Sequence, residues 1–308
     1  MLTFATFNLC NLGADAPPER LAKLGTIIAC ELQGPDILAV QEIKAPALAG
    51  QPVVPADAAY GALIAAVDKA GGPYYEFREI PPLANQDGGH PEFNIRTGLL
   101  FNPRRVEFID QGNAGPEDAT GIRRLEGGFS LTLSPGRIEP THPAFQGDAR
   151  RHWLPSRKVL VGEFCFQGER LWVIACHLKS MRATTRRGED YAKKQRHAQA
   201  QVIHGFITNL LACHPQARLV VLGDMNDVRG SKTLKLLKGD SLSNLLEEVP
   251  RSQCYTRYHG NQPQALDHIL VSQALRHGVH VHIPHINSDS PEPERASDHD
   301  PVLATLDL

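Results

Sequence analysis

RLVVLGDMND, residues Arg218 to Asp227, is the stretch on which the fold turns. Leu219 to Leu222 form an apolar run after Arg218, and Gly223 breaks it just ahead of Asp224 and Asn226. A continuous run of Leu and β-branched residues reads as a strand covered on both faces. Asp224 and Asn226 stand at alternate positions past its end and can point the same way. An Asx turn closing a strand accounts for those two residues as well. What sets the stretch apart is that the same pattern recurs along the chain.

The recurrences run from one end to the other. Leu2 to Leu9 is a strand with a polar exit at Asn8 and Asn11. Asp15, Pro17 and Pro18 then open a helix striped by Leu21, Leu24, Ile27 and Ile28, and Gly34 and Pro35 stop it. Asp36 to Gln41 is a second strand, which hands over directly to Glu42. Asp57 is placed to cap a helix carrying Tyr60, Leu63, Ile64 and Val67, and YYEFREI follows as a strand. Arg96–Phe101 and Val106–Ile109 read as a hairpin turning through Asn102 and Pro103.

The interval Gln111–Ser156 is rich in Gly, Pro and charge, with FSLTL its one short apolar run. A loop of that length in a compact domain is functional or mobile. Strands VLVGEF and LWVIAC resume the pattern, the second leading into His177. Gln195 to Leu211 is a helix, and the basic run MRATTRRGEDYAKKQRH that makes its first part reads as a solvated face, with a phosphate-facing rim as the alternative. Ser231 caps a short helix with Leu234, Leu236 and Leu237. LDHILV sets Asp267 before an apolar run, and SDHDPVLATL sets Asp298 and His299 beside a last strand. His280 and His282 alternate with Val279, Val281 and Ile283, the pattern of an edge strand with one solvated face.

With 308 residues, 42% of them hydrophobic, the chain can bury a large core. No repeat, low-complexity tract or linker divides it, so a single domain over residues 1–308 is expected, with a loop insertion at about 111–156. A net charge of −2 provides no global basic field, so a polyanionic substrate must meet a local cluster. The six cysteines include no CxxC pair and read as buried free thiols. No segment is long and apolar enough to span a bilayer. LTFATFNL reads as a strand and not as a signal peptide, which favours the cytoplasm and leaves a secreted mature form open. Oligomeric state is open.

Asn8, Glu42, His177, Asp224, Asn226, Asp267, Asp298 and His299 all adjoin strands, and in layered α/β folds such strand ends gather into a crevice. Carboxylates and amide oxygens are hard ligands that suit Mg²⁺ or Mn²⁺. The imidazoles and carboxylates left over provide a base, an acid and contacts to a charged oxygen, as phosphate-ester hydrolysis requires. A Gly-rich phosphate loop and a GxSxG elbow are both missing, which disfavours nucleotide-driven transfer and serine hydrolysis.

Six motifs, ATFNL, VQEIK, ACHLKS, GDMND, LDHILVS and SDHDPV, resemble in kind and in order those of the endonuclease/exonuclease/phosphatase superfamily. The resemblance implies a four-layer α/β sandwich, two mixed sheets packed face to face with helices outside. It also implies roles. Glu42 would be the main metal ligand, with Asn8 and Asp298 near the same ion or a second one. Asp267 would orient His299, Asp224 and Asn226 would position or deprotonate the attacking water, and His177 would contact the scissile phosphate or assist the leaving oxygen. Either His299 or Asp224 would be the base.

In the pancreatic-type deoxyribonucleases a Glu on a strand resembling NIRTGLLFNP partners the first His, and Ile95 stands at that place here. Arg96 beside it would be a cation near the phosphate, or a partner in a surface ion pair. The sequence is closer to the bacterial nuclease-like branch, whose pattern before the His strand resembles SRKVLVGEF. By that likeness Arg157 and Lys158 would reach the cleft. Three functions follow: a metal-dependent nuclease with nucleic acid as substrate; a phosphatase or phosphodiesterase for a small-molecule or lipid-headgroup phosphate; and a catalytically silent binding protein. Glu42, Asp267 and His299, whose loss would mark the last, are all present.

Overall fold

A computed structural model describes residues 1–47, 52–126, 128–145, 147 and 158–307. The apolar run after Arg218 sorts its side chains to two sides: Val220 and Leu222 join the core between two β-sheets, whereas Leu219 and Val221 pack outward beneath helices. That two-sided burial sets the layering of the whole molecule.

Each main sheet has seven strands among the described residues. The first runs β17 (Val279–His282), β18 (Val302–Leu306), β1 (Leu2–Leu12), β2 (Ile37–Pro46), β5 (Phe93–Phe101) and β3 (Glu76–Arg78), with β4 (Gly89–His90) also paired to β5. The second runs β13 (Leu242–Asn244), β16 (Asp267–Ser272), β12 (Arg218–Asp224), β11 (Glu169–His177), β10 (Leu160–Phe166) and β6 (Glu107–Phe108), with β9 (Gly136–Arg137) also on β10. Both sheets are mixed, since β1–β2 and β11–β12 are parallel pairs among antiparallel ones. Phe4, Ile37, Leu99 and Val302 of the first sheet meet Phe164, Val173, Val220 and Ile269 of the second in the central core.

Helices cover the outer faces. α1 (Pro18–Thr26) and α2 (Asp57–Lys69) lay Leu24, Tyr60, Leu63 and Val67 on Phe7, Leu38 and Val40 of the first sheet. α3 (Arg186–Cys213) and α4 (Lys232–Lys238) lay Ile203, Ile207, Leu234 and Leu237 on Ile174, Leu219 and Val221 of the second. The result is the expected four-layer sandwich. No helix among the described residues is long and apolar enough to cross a membrane.

Some local expectations are overturned. Residues 96–109 form no hairpin: β5 stays in the first sheet and β6 crosses to the second. Phe101 and Phe108 stack with centroids 5.5 Å apart between the sheets, and burying both aromatics there outweighs a local turn. α3 begins nine residues ahead of Gln195, at Arg186, because the Thr185 hydroxyl caps it by accepting from Gly188 N at 3.2 Å. Its basic first part is exposed at Arg186, Arg187, Lys193 and Lys194, but Arg196 turns inward.

The interval 111–156 holds regular structure where it is described. β7 (Ile122–Leu125) and β8 (Gly128–Leu131) form a hairpin, and Phe129 within FSLTL stacks on Trp172 at 4.4 Å. Ala56 is the cap of α2, with Asp57 in the first turn, where its charge suits the helix dipole. The cysteines are free thiols, but only Cys176 is buried.

Candidate active site

Register brings three of the expected residues into one row. His177, ending β11, lies opposite Asp224 on β12, which lies opposite Asp267 on β16. Gly223 makes the close approach between β11 and β12 feasible: its φ is +140°, and a Cβ there would stand 2.0 Å from Cys176 O. Beyond it, Asn226 adopts φ +49°, and its N–H donates to Asp224 Oδ1 at 2.8 Å. Its Nδ2 donates to Asp224 Oδ2 and to Leu178 O, at 3.2 and 3.1 Å. The Asx turn read from the sequence is therefore real, and it serves to aim Asp224.

The first sheet supplies Asn8 and Glu42 through irregularities. Register shifts between Asn8 and Leu12 on β1, and between Val40 and Ile43 on β2, interrupt the ladders. Such bulges re-aim side chains at sheet rims. Cys10, Asn11 and Glu42 all have positive φ, a costly conformation for side-chain-bearing residues. Asn8 Nδ2 donates to Asp224 Oδ2 at 3.1 Å and to Glu42 Oε1 at 3.4 Å, joining the two sheets. His177 Nε2 lies 3.4 Å from Asp224 Oδ2 and 3.7 Å from Glu42 Oε1.

His299 completes the group from the loop before β18. Its Nδ1 is 2.7 Å from Asp267 Oδ2, and the same oxygen accepts from Thr256 Oγ1 at 2.6 Å. Ser297 Oγ accepts from His299 N at 3.1 Å and donates to Asn8 O at 2.6 Å. Asn287 Nδ2 donates to His299 O at 2.8 Å. The imidazole is thus fixed from both sides of its own backbone.

These groups line one cavity of about 360 Å³, which includes Glu42, His177, Asp224, Asn226, Asp298 and His299. A groove of about 850 Å³ continues from it, sharing Ser180, Arg182, Asn226 and Arg257. Burial, then the charge of Asp267, pushes Asp224 up to about 7. Burial opposes a charged His299, but the Asp267 carboxylate and then Asp224 and Asp298 overcome this and draw a proton to it. Against that pull, Arg257 Nη1 lies 3.2 Å from His299 Nε2. A guanidinium only donates, so this contact is a hydrogen bond only when the ring is neutral, with its N–H on Nδ1.

Glu42, Asp224 and Asp298 bring carboxylates into one small cavity, with Asp267 behind them. That excess of negative charge and hard oxygen fits a divalent cation such as Mg²⁺ or Mn²⁺. Asp224, Asp267 and His299 form a buried group whose ligand atoms lie within 4.8 Å of one another, although His299 Nδ1 is already engaged by Asp267. Glu42 is more open, and Asp298 is held by Arg257 Nη2 at 3.2 Å. Burial acts to raise Asp298, but the charges of His299 and Arg257 hold it below the usual carboxylate range. Cys10 also lines the cavity; burial, then Asp298 and Glu42, pushes its thiol up to about 11, which keeps it a neutral thiol.

The expected phosphate contacts fare differently. Ile95 lines the cavity, but Arg96 is buried on the other side of β5, 3.7 Å from Glu79. Alternation along the strand sends neighbours to opposite faces. Lys158 is buried as well, 3.2 Å from Asp87, which Arg137 holds at 2.7 Å. It braces the chain just before Gly88, Gly89 and His90, which wall the cavity, and does not reach the cleft. Arg157 lies outside the described residues. Sequence reading missed Arg257, Thr256 and Ser297, and it held Arg182 only within the basic run read as a solvated face, with a phosphate-facing rim as the alternative. Of the three missed, only Ser297 stood inside a quoted motif, SDHDPV, and an ST turn ahead of His299 was its one signal.

The sequence matches the Endonuclease/Exonuclease/phosphatase family over residues 5–299. No curated protein matches it significantly. Among solved structures, TDP2 from D. rerio complexed with a single-strand DNA product superposes with a TM-score of 0.58 at 18% identity, covering 100% of this chain and 99% of that one. The Bacteroides thetaiotaomicron mannosyl-6-phosphatase gives 0.58 at 16% identity, with 100% of both chains covered. The human nocturnin catalytic domain with bound sulfate gives 0.57 at 16% identity, covering 99% of this chain and 94% of that one.

Proposed function

The chain belongs to the endonuclease/exonuclease/phosphatase family, and from that footing we propose that it is a divalent-metal-dependent phosphate-ester hydrolase, a nuclease cleaving nucleic-acid phosphodiester bonds. One observation carries the reading: strand ends of both sheets deliver Glu42, His177, Asp224, Asn226, Asp298 and His299 to a single cavity that opens into a larger groove. The groove favours an extended substrate, and TDP2, which shares the fold, was solved with single-strand DNA product. A small-phosphate substrate is the second reading. It is favoured by the modest size of the catalytic cavity and by a phosphatase among the structural relatives.

Glu42 and Asp298, with Asn8, would hold Mg²⁺ or Mn²⁺, which when bound polarises a phosphoryl oxygen and offsets developing charge. Asp224 and Asn226 orient the attacking water. Asp267 fixes His299 with its proton on Nδ1, leaving Nε2 to face the cavity. His177 Nε2 reaches the phosphoryl oxygens from the other side. The water oxygen attacks phosphorus in line, the ester P–O bond opposite it breaks, and the water proton passes to Asp224 or His299.

The test is cleavage of single- and double-stranded DNA, RNA and bis-p-nitrophenyl phosphate with Mg²⁺ or Mn²⁺, beside His299→Ala and an EDTA blank. Metal-dependent polymer cutting that the substitution abolishes is expected. Cleavage of the small diester with every polymer intact would replace the nuclease reading by the small-phosphate one.

A further inference from the structure

Arg257 stands where the catalytic cavity passes into the groove, and its side chain lines both. It opens β14 (Arg257–His259), which pairs with β15 (Gln262–Gln264). Its neighbour Thr256 is bonded to Asp267 and accepts the N–H groups of Leu266 and Asp267, so the backbone carrying Arg257 is anchored beside the His299 dyad.

The guanidinium is oddly matched. Nη1 meets the single lone pair of His299 Nε2, and Nη2 meets one oxygen of Asp298, each at 3.2 Å. Nε is buried without a hydrogen-bond partner among the described residues. A guanidinium grips best through two parallel N–H bonds to one planar or tetrahedral anion. Here three donors point at three different places, one of them without an acceptor among the described residues. His299 Nε2 is also the atom that must be free to face a substrate. Arg182, exposed, stands at the same junction and adds a second cation.

We propose that Arg257 is a substrate-binding residue for the scissile phosphate. It leaves His299 Nε2 as substrate arrives through the groove and takes the phosphate's non-bridging oxygens on its Nε–Nη2 edge, with Arg182 beside it. The movement uncovers His299 and gives Nε its missing acceptor in one event. This assignment rests on the phosphate-ester reading above, for any substrate carrying such a phosphate.

Arg257→Ala and Arg257→Lys test it. Inorganic phosphate binding is followed by isothermal titration calorimetry with Mg²⁺ and again in EDTA, and a fluorescein-labelled single-stranded DNA by anisotropy in EDTA. Losing a charge-assisted bidentate contact weakens phosphate binding by about tenfold or more in Arg257→Ala, and by less in Arg257→Lys, which keeps the charge but not the fork. Millimolar guanidinium restores part of the turnover of bis-p-nitrophenyl phosphate in Arg257→Ala, which a merely structural role would not permit. Unaltered phosphate affinity in Arg257→Ala overturns the assignment, as does a lowered melting temperature in both variants without rescue. If the wild type binds phosphate but not DNA, and Arg257→Ala loses the phosphate, the nuclease reading falls and the assignment of Arg257 stands.

Discussion

Replacing Thr256 by Val removes one hydroxyl and keeps the shape of the side chain. That hydroxyl donates to Asp267 Oδ2 at 2.6 Å and accepts from Leu266 N at 3.1 Å and Asp267 N at 3.3 Å. Thr256 and Asp267 are fully buried, so water cannot take its place. A hydrogen bond to a charged group contributes about 1.5–3 kcal/mol, and a buried N–H left unmet costs about 1–3 kcal/mol. Counting the carboxylate bond and one of the two longer bonds, Thr256→Val loses about 2.5–6 kcal/mol, a large part of the roughly 5–15 kcal/mol by which proteins are stable. Asp267 Oδ2 keeps only His299, so the imidazole is held less firmly and turnover falls at least about tenfold, equivalent to about 1.4 kcal/mol in the barrier. Thr256→Ser keeps the hydroxyl and loses one methyl, at about 1 kcal/mol. Urea unfolding, read as a midpoint shift at constant slope, and turnover of bis-p-nitrophenyl phosphate check both variants. If Val and Ser variants unfold at the same urea concentration, the buried hydroxyl is not what braces Asp267.

Two further predictions concern buried charge. Burial, partly offset by Arg96, pushes Glu79 up to about 7 from an ordinary 4.5. The native state therefore holds the extra proton between those values, and stability falls as pH rises through that window by up to about 3 kcal/mol. Glu79→Gln flattens this part of the profile in urea unfolding from pH 4 to 8; an unchanged slope refutes it. Asp87 neutralises both Arg137 and Lys158, so Asp87→Ala strands two buried cations and costs about 3–5 kcal/mol, whereas Lys158→Met leaves the Asp87–Arg137 pair intact and costs less. A KM that rises in Lys158→Met without loss of stability would return Lys158 to the substrate.

What was legible in the sequence is what local burial dictates. Leu219 to Leu222 announced a strand covered on both sides because both faces of β12 are in fact packed. Asn8, Glu42, His177, Asp224, Asn226, Asp298 and His299 were legible as strand-end polar groups, and all reach or border the same cavity. Strand partners were not legible: Asn102 and Pro103 carry turn chemistry, but two aromatics buried between the sheets decide where β6 goes. Nor was the direction of a lone cation. Ile95 and Arg96 are adjacent, and nothing local says which of them faces the cavity. Thr256 and Arg257 belong to no apolar run, and their importance arises from Asp267, 11 residues beyond Thr256, and from Asp298 and His299, the latter 42 residues beyond Arg257.

The bond from Ser297 Oγ to Asn8 O spans 289 residues. During translation, Asn8, Glu42 and His177 emerge well before Asp267 and His299 have been joined to the growing polypeptide. A ribosome-bound intermediate thus carries half of the machinery and none of the imidazole–carboxylate dyad. Contacts of such long sequence separation are also late and slow to form. Topology alone then times the assembly of the site: the dyad forms only when the chain is nearly finished.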